Sequence, residues 1–416
     1  MCASRVALGL AILSWTSWIG ACWFTSFCFR SRYLVDPSMS RGHVRQVSCR
    51  KGMMVDGCKS EASLGNKCIG AMRSDQLVCF GLGANRQREL GAFAAISAGN
   101  VHFCEVLSDG QLICLGCSIR DDKGQCDVPP DLGRVVAASA GYDHTCAVKY
   151  DGQLVCFGWN QFGQCDVPED IGATLLVSAG HSHTCAITAD GRLVCFGWNE
   201  YGQCDVPRNL GPVLTVSAGR SHTCAITAEG RLVCFGYNSD GQCAVPADLG
   251  PVVAVSAGES YTCTVKADGQ LVCFGSNEYG ACDVPADVGP VVAVSAGPTH
   301  SCAVRADRQL VCFGSNEYGA CEVPSDLGPV LAASAGRFRT CAVKANGKLI
   351  SFGNNNQGKC DVPSDLGRAV LTSAGGYHTL AVMADGQLTC FGANPDGRCD
   401  VPEDLGPLTG PLIMYS

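Results

Sequence analysis

The tripeptide Ser-Ala-Gly recurs eight times along the chain, with its glycine at positions 99, 141, 180, 219, 258, 297, 336 and 375. After one step of 42 residues, every interval is 39. Seventeen residues after each of these glycines comes another, mostly as Cys-Phe-Gly, at positions 116, 158, 197, 236, 275, 314, 353 and 392. A ninth such glycine, Gly81, precedes them with only a decayed leader around Ser63-Leu64-Gly65. Eight full units and one partial unit therefore fill residues 58–416. A fixed period of this length means that each unit is one small element that buries its faces against its neighbours.

The unit reads as three strands. Pro212 to Val216 is a short β-branched run ended by Ser217-Ala218-Gly219. His222 to Thr227 alternates as a second strand, and Arg231 to Phe235 returns as a third. Between them Ala228-Glu229-Gly230 suits a three-residue turn closing on a left-handed glycine. That register sets Cys224 opposite Cys234, Ala225 opposite Val233 and Ile226 opposite Leu232, with apolar residues on both faces. One such sheet buries too little apolar surface to offset the ordering of its backbone, so successive sheets must stack. The expected fold is all-β: a β-propeller of small antiparallel blades, eight to nine units by count, with an open β-solenoid as the alternative. The chain ends with the start of another unit, Asp404 to Leu408 and then Leu412 to Met414. This tail is expected to complete the partial unit Cys68 to Gly81 and latch the ring.

Charge is unevenly spread. The net charge is −8, yet residues 1–51 hold seven Lys/Arg and one acid, leaving 23 basic against 37 acidic residues in the rest, a balance of −14. A body so acidic excludes a broad nucleic-acid-binding face. Residues Val6 to Phe29 carry no charge over 24 positions, enough to cross a bilayer. Basic residues follow this stretch, which favours a signal anchor with the downstream part in the cytosol; a cleaved secretory peptide and an organelle presequence are the alternatives. The expected organisation is a hydrophobic segment at 1–29, a basic linker at 30–57 and the repeat domain at 58–416.

Stretches such as Ser178-Ala179-Gly180-His181-Ser182-His183-Thr184-Cys185-Ala186 and Asp190-Gly191-Arg192-Leu193-Val194-Cys195-Phe196-Gly197-Trp198-Asn199 resemble repeats of the regulator of chromosome condensation family. The Asp205-Val206-Pro207 linker and the short period are similar to its bacterial-type, three-stranded branch, which includes a β-lactamase inhibitory protein. The resemblance covers about 350 residues and implies a propeller, usually of seven blades. Here the units number eight or nine, and the family's third-strand tryptophan is Phe157, Phe196 or Phe235. The family hosts exchange factors, inhibitors, photoreceptors and ubiquitin-ligase modules, so fold alone does not select a function.

Three repeat positions hold cysteine, as in Cys185, Cys195 and Cys204. A cross-strand disulfide between Cys185 and Cys195 is conceivable. However, Cys341 would face Ser351 and Leu380 would face Cys390, which favours reduced, buried thiols. Cys114 and Cys117 form a solitary C-x-x-C, read as a drifted repeat, and no spacing matches a zinc finger. Histidine begins the second strand at His102, His144, His183, His222, His300 and His378, interrupted by Tyr261 and Arg339. The resemblance implies a structural histidine there, hydrogen-bonded to a neighbouring loop. Linker acids such as Asp166, Asp170, Asp283 and Asp287 do not have the spacing of a calcium loop. No phosphate loop, hydrolase triad or H-E-x-x-H motif is present. No enzyme, cofactor or metal site is expected.

Topology places the residues after Ser-Ala-Gly and those after Cys-Phe-Gly on one face. The hairpin tips are monotonous, whereas this face varies from unit to unit, and side chains that vary on a repeated frame are those the frame does not dictate. The candidate partner-binding residues are Trp159, Trp198 and Tyr237 after Cys-Phe-Gly, and Tyr142, His181, Arg220, Glu259, Arg337 and Phe338 after Ser-Ala-Gly, with the aromatics as anchors. The expected function is protein binding through this face. The alternatives are guanine-nucleotide exchange on a small GTPase and substrate recognition for a ubiquitin ligase acting in trans. A membrane tether through residues 6–29 would leave the propeller in the cytosol, with secretion or organelle targeting as the other outcome.

Overall fold

The computed structural model of the protein describes residues 69–73, 76–80, 94–107, 109–117, 122–394, 399–401 and 412–415, all within one compact unit, Ser63–Ser416. The expected hydrophobic segment 1–29 and basic linker 30–57 lie outside the described residues. Among the described residues, no helix is long and apolar enough to cross a membrane.

Seven three-stranded antiparallel sheets and one four-stranded sheet follow one another along the chain. We number them as blades 1 (94–115), 2 (135–158), 3 (174–197), 4 (213–236), 5 (252–275), 6 (291–314), 7 (330–353) and 8 (369–392). In blade 4 the strands are Val213–Ala218, His222–Thr227 and Leu232–Gly236, and Cys224, Ala225 and Ile226 stand opposite Cys234, Val233 and Leu232 as the alternation requires. The turn between the last two strands closes through Thr227 N–H to Arg231 O at 2.9 Å, with Gly230 at a φ of +79°.

The two apolar faces of each sheet are buried against the sheets on either side. Between blades 3 and 4, Cys185, Ile187 and Leu193 meet Val213, Val216 and Ala225, and the linker residue Leu210 is wedged among them. Such a fully buried leucine contributes roughly 1.5–3 kcal/mol. The first strand of each of blades 2 to 8 touches both the first and the second strand of the preceding blade, so the first strands line the axis and the third strands lie outermost.

The Ser-Ala-Gly motif is explained by this axis. A Cβ added to Gly219 would come within 2.8 Å of the carbonyl oxygen of Gly258, and one on Gly258 within 3.0 Å of that of Gly297. The same approach continues around the molecule until Gly375, where a Cβ would lie 2.8 Å from the carbonyl oxygen of Gly99. The series returns to its start, so the eight blades form a closed ring and the open solenoid is excluded. The serine ties blades together as well: Ser178 Oγ accepts from Ala218 N–H at 3.1 Å, and Ser217 Oγ accepts from Ala257 N–H at 2.9 Å.

The terminal latch differs from expectation. Leu412–Tyr415 pairs in parallel with Ala94–Ala98, the first strand of blade 1, and adds a fourth strand on its inner edge. It does not complete the partial unit, whose strands Ile69–Arg73 and Gln76–Phe80 form a two-stranded sheet of their own. Chain direction is the reason. A segment that continues the repeat arrives running the same way as every first strand, and the free edge of Ala94–Ala98 accepts it only in parallel.

Candidate functional site

Backbone hydrogen bonds join the two variable loops of each blade. Trp159 N–H donates to Asp143 O, Trp198 N–H to Ser182 O and Tyr237 N–H to Ser221 O, each at 2.9 Å. The residue after Cys-Phe-Gly is thereby fixed to the loop after Ser-Ala-Gly, and both lie on one face, as the strand order requires. Glycine is needed at the crossing, because Gly197 has a φ of +110° and a Cβ there would come within 2.8 Å of Ser182 O.

The nine candidate residues fall into three groups. Trp159, Trp198 and Tyr237 belong to a continuous aromatic ridge spanning blades 2 to 4. Ring centroids run from Trp159 to Phe162 at 5.2 Å, to Trp198 at 5.9 Å, to Tyr201 at 5.2 Å and to Tyr237 at 4.8 Å. Three of these four contacts are edge-on, the arrangement favoured by the quadrupoles of the rings. Phe162 and Tyr201, which sequence reasoning had not singled out, are 41% and 44% exposed and form the outward part of the ridge. Their signal was an aromatic residue three positions after each tryptophan, inside a turn that the sequence stiffens. Asn160 Oδ1 accepts from Cys165 N–H at 2.8 Å, its Nδ2 donates to Asp166 Oδ1 at 2.7 Å, and Gln164 Oε1 accepts from Phe162 N–H at 3.0 Å. Asp166 therefore holds its turn, as Asp205, Asp283 and Asp361 hold theirs. In blade 4 the equivalent of Tyr201 is Asp240, which ends the ridge.

Tyr142 and His181 stack at 4.0 Å, with His181 Nδ1 2.8 Å from Ser182 Oγ. Burial, and then the Arg220 charge, lower the His181 pKa to about 4, so it is neutral at pH 7. Arg220 pairs with Glu259 on the open surface, with side chains 54% and 38% exposed, a setting in which ion pairs contribute little. Arg337 lies 5.6 Å over the Phe338 ring, and Tyr318 packs on the same ring at 5.3 Å. Phe338 has a φ of +67°, which is costly for an aromatic residue and is held by Asn354 N–H donating to Phe338 O at 2.8 Å.

The histidines at the head of the second strands are buried and point to the next blade. His183 Nε2 lies 3.0 Å from Thr223 Oγ1, which itself donates to Gln203 O at 2.8 Å. Because Thr223 spends its proton on the carbonyl, His183 donates through Nε2 and is the Nε2–H tautomer. Tyr261 and Arg339 serve the same junction by other means: Tyr261 O–H donates to His300 O at 2.7 Å, and Arg339 Nε donates to Thr379 Oγ1 at 3.1 Å. Among the described residues, no cluster of His, Cys, Asp or Glu has the arrangement of a metal site.

The cysteines require a correction. Cys146–Cys156 and Cys263–Cys273 are disulfides, whereas Cys185 and Cys195, in the same register, are thiols. Cys390, which faces Leu380, is not a thiol but bonds forward to Cys399 in the linker. Cys341 remains a thiol 3.3 Å from Ser351 Oγ. The C-x-x-C is divided between two partners: Cys114 faces Cys104, and Cys117 bonds Cys126.

The family model of the regulator of chromosome condensation (RCC1) repeat matches residues 135–164, 176–203, 213–242, 252–281, 291–320, 330–359 and 370–398, seven consecutive units in step with blades 2 to 8. The chain belongs to the RCC1 repeat family. Blade 1 carries the same three strands outside these matches and makes the RCC1-type ring eight-bladed. A search of curated protein sequences found no match. Among solved structures, the chain is similar to the ectodomain of the Arabidopsis thaliana receptor kinase ACR4, with 21% identity over 63% of this chain and 98% of that one and a TM-score of 0.48. It is also similar to Prp20p from Saccharomyces cerevisiae, described with its binding to Gsp1p and histones, at 16% identity over 69% and 78% and a TM-score of 0.46. Human WBSCR16 matches at 15% identity over 74% and 90%, with a TM-score of 0.48.

Proposed function

We propose that this RCC1-repeat ring is a non-enzymatic interaction module that docks a protein partner on the aromatic ridge of blades 2 to 4. The five-ring ridge carries the reading, since stacked and partly exposed aromatics on a rigid frame lose little side-chain entropy when covered and are typical interface anchors. Exposed acids beside it, Glu200 and Asp240, together with neutralisation of Arg220 by Glu259, favour a partner that surrounds its apolar anchors with Arg or Lys. Proximity labelling with the full chain tests this. The double variant Trp198→Ala plus Arg220→Ala should lose partners that the wild type labels while its melting temperature holds. An unchanged partner set would reject the ridge as the docking face.

A second reading, nucleotide exchange on a small GTPase, is favoured by one observation. The only length irregularity among the repeats inserts three residues between Cys117 and Cys126, which a disulfide joins. An exchange assay over a panel of GTPases decides it, and no acceleration with any member removes it. The uncharged stretch 6–29 would tether the ring to a membrane with the blades in the cytosol. Fractionation with a reporter on each terminus tests that placement, and a soluble or lumenal reporter on the blades would reject it.

A further inference from the structure

In the second strand of each blade, the fourth residue faces the preceding blade. It is Ala147, Ala186, Ala225, Ala303, Ala342 and Ala381 in six blades and Thr264 in a seventh. Thr264 is satisfied locally, its Oγ1 donating to Ala254 O at 2.7 Å. In blade 1 the position holds Glu105, which is 0% exposed and has neither carboxyl oxygen within hydrogen-bonding distance of any partner. A buried polar group without a partner is rare enough to demand an explanation.

Its location supplies one. Glu105 and Phe103 lie on the same face of their strand, and Phe103 sits against His378 of blade 8 at 5.5 Å. Ile96, directly opposite Glu105, is packed with Leu371, Leu380 and Val382 of that blade. This is the junction of the last blade with the first, which the chain crosses only through the added strand Leu412–Tyr415. It also departs from the polar pattern: where the other blades offer Thr or Ser to the preceding one, position 103 is phenylalanine.

Charges around Glu105 are few. On the facing sheet the titratable side chains are His378, at the head of its strand, and Cys390, which is bonded to Cys399. In its own sheet His102 and Cys104 point the other way, to Thr145 of blade 2, and Cys114 lies against Cys104. The terminal strand Leu412–Tyr415 brings no residue that is charged at neutral pH. Among the described residues no cation is placed to hold a carboxylate, and burial raises the Glu105 pKa to about 7.

We propose that the junction of blades 8 and 1 is an acid-tightened seam, closed most firmly when Glu105 carries its proton and loosened when it ionises. The sign follows from linkage. A carboxyl whose pKa is higher in the closed ring than when solvated favours closure fully below about 4.5, and that preference is lost as pH rises to about 7. Above that, the closed ring must bury a charge or part the two blades.

Hydrogen exchange of the full chain at about pH 5 and about pH 8, corrected for intrinsic rates, reads the seam directly. Segments 94–106 and 369–383 should lose protection relative to segment 213–236 on going to the higher pH, by up to the order of a hundredfold. Glu105→Ala, the residue of six sister blades, and Glu105→Gln, which cannot ionise, should both abolish that difference. Two results would overturn the proposal: seam segments that track 213–236 at both pH values in the wild type, or a pH response that survives in either variant.

Discussion

The junction between blades 3 and 4 and the seam between blades 8 and 1 solve the same packing problem by different means. The interior junction is joined by a linker with Leu210 wedged in its core, a Ser178–Ala218 hydrogen bond and the His183–Thr223–Gln203 relay. The seam keeps the glycine approach of Gly375 to Gly99 and one backbone bond, Gly376 N–H to Asn100 O at 3.1 Å. It replaces the relay by Phe103 on His378, buries Glu105, and is crossed by the chain only as the added strand Leu412–Tyr415. A repeated sequence can write one interface seven times, but the joint where its two ends meet needs residues of its own. Two sets of departures from the repeat, at the seam and along the aromatic ridge, mark tasks the common frame does not perform.

Three substitutions sharpen this contrast. Gly219→Ala should have the largest effect, because its Cβ would meet the Gly258 carbonyl at 2.8 Å in a junction held on both sides. A loss of about 3–4 kcal/mol in urea unfolding is expected. Phe103→Thr restores the residue of the sister blades at the seam, yet it should destabilise by about 2–3 kcal/mol, since the seam relies on apolar packing. A gain in stability there would mean that the seam is an ordinary junction. Thr223→Val keeps the shape but removes the hydroxyl between His183 and Gln203, for an expected cost of about 1–2 kcal/mol that thermal melting would register.

The scaffold was legible because its determinants are local and repeated. Alternation in His222–Thr227 and the glycine turn at Gly230 set the register, and eightfold repetition required a stack of sheets. Closure was harder to read. The tail was recognisable as a further first strand, but its pairing with Ala94–Ala98 depends on which edge remains free once the ring has formed. The disulfides escaped because every blade shares one register, so sequence alone could not separate Cys146–Cys156 from the free pair Cys185 and Cys195. Trp159, Trp198 and Tyr237 were found by their variation against a constant frame. Phe162 and Tyr201 were missed because their turns also appeared structural, and the rings meet only when blades are set side by side.

The eight-bladed ring is closed by the strand Leu412–Tyr415, which carries the chain from blade 8 onto the first strand of blade 1. Deleting residues 412–416 and following thermal unfolding tests it most directly. The account predicts a melting temperature lower by roughly 5–10 °C, with blades 1 and 8 losing exchange protection before blade 4. A truncated chain that melts with the wild type would contradict it.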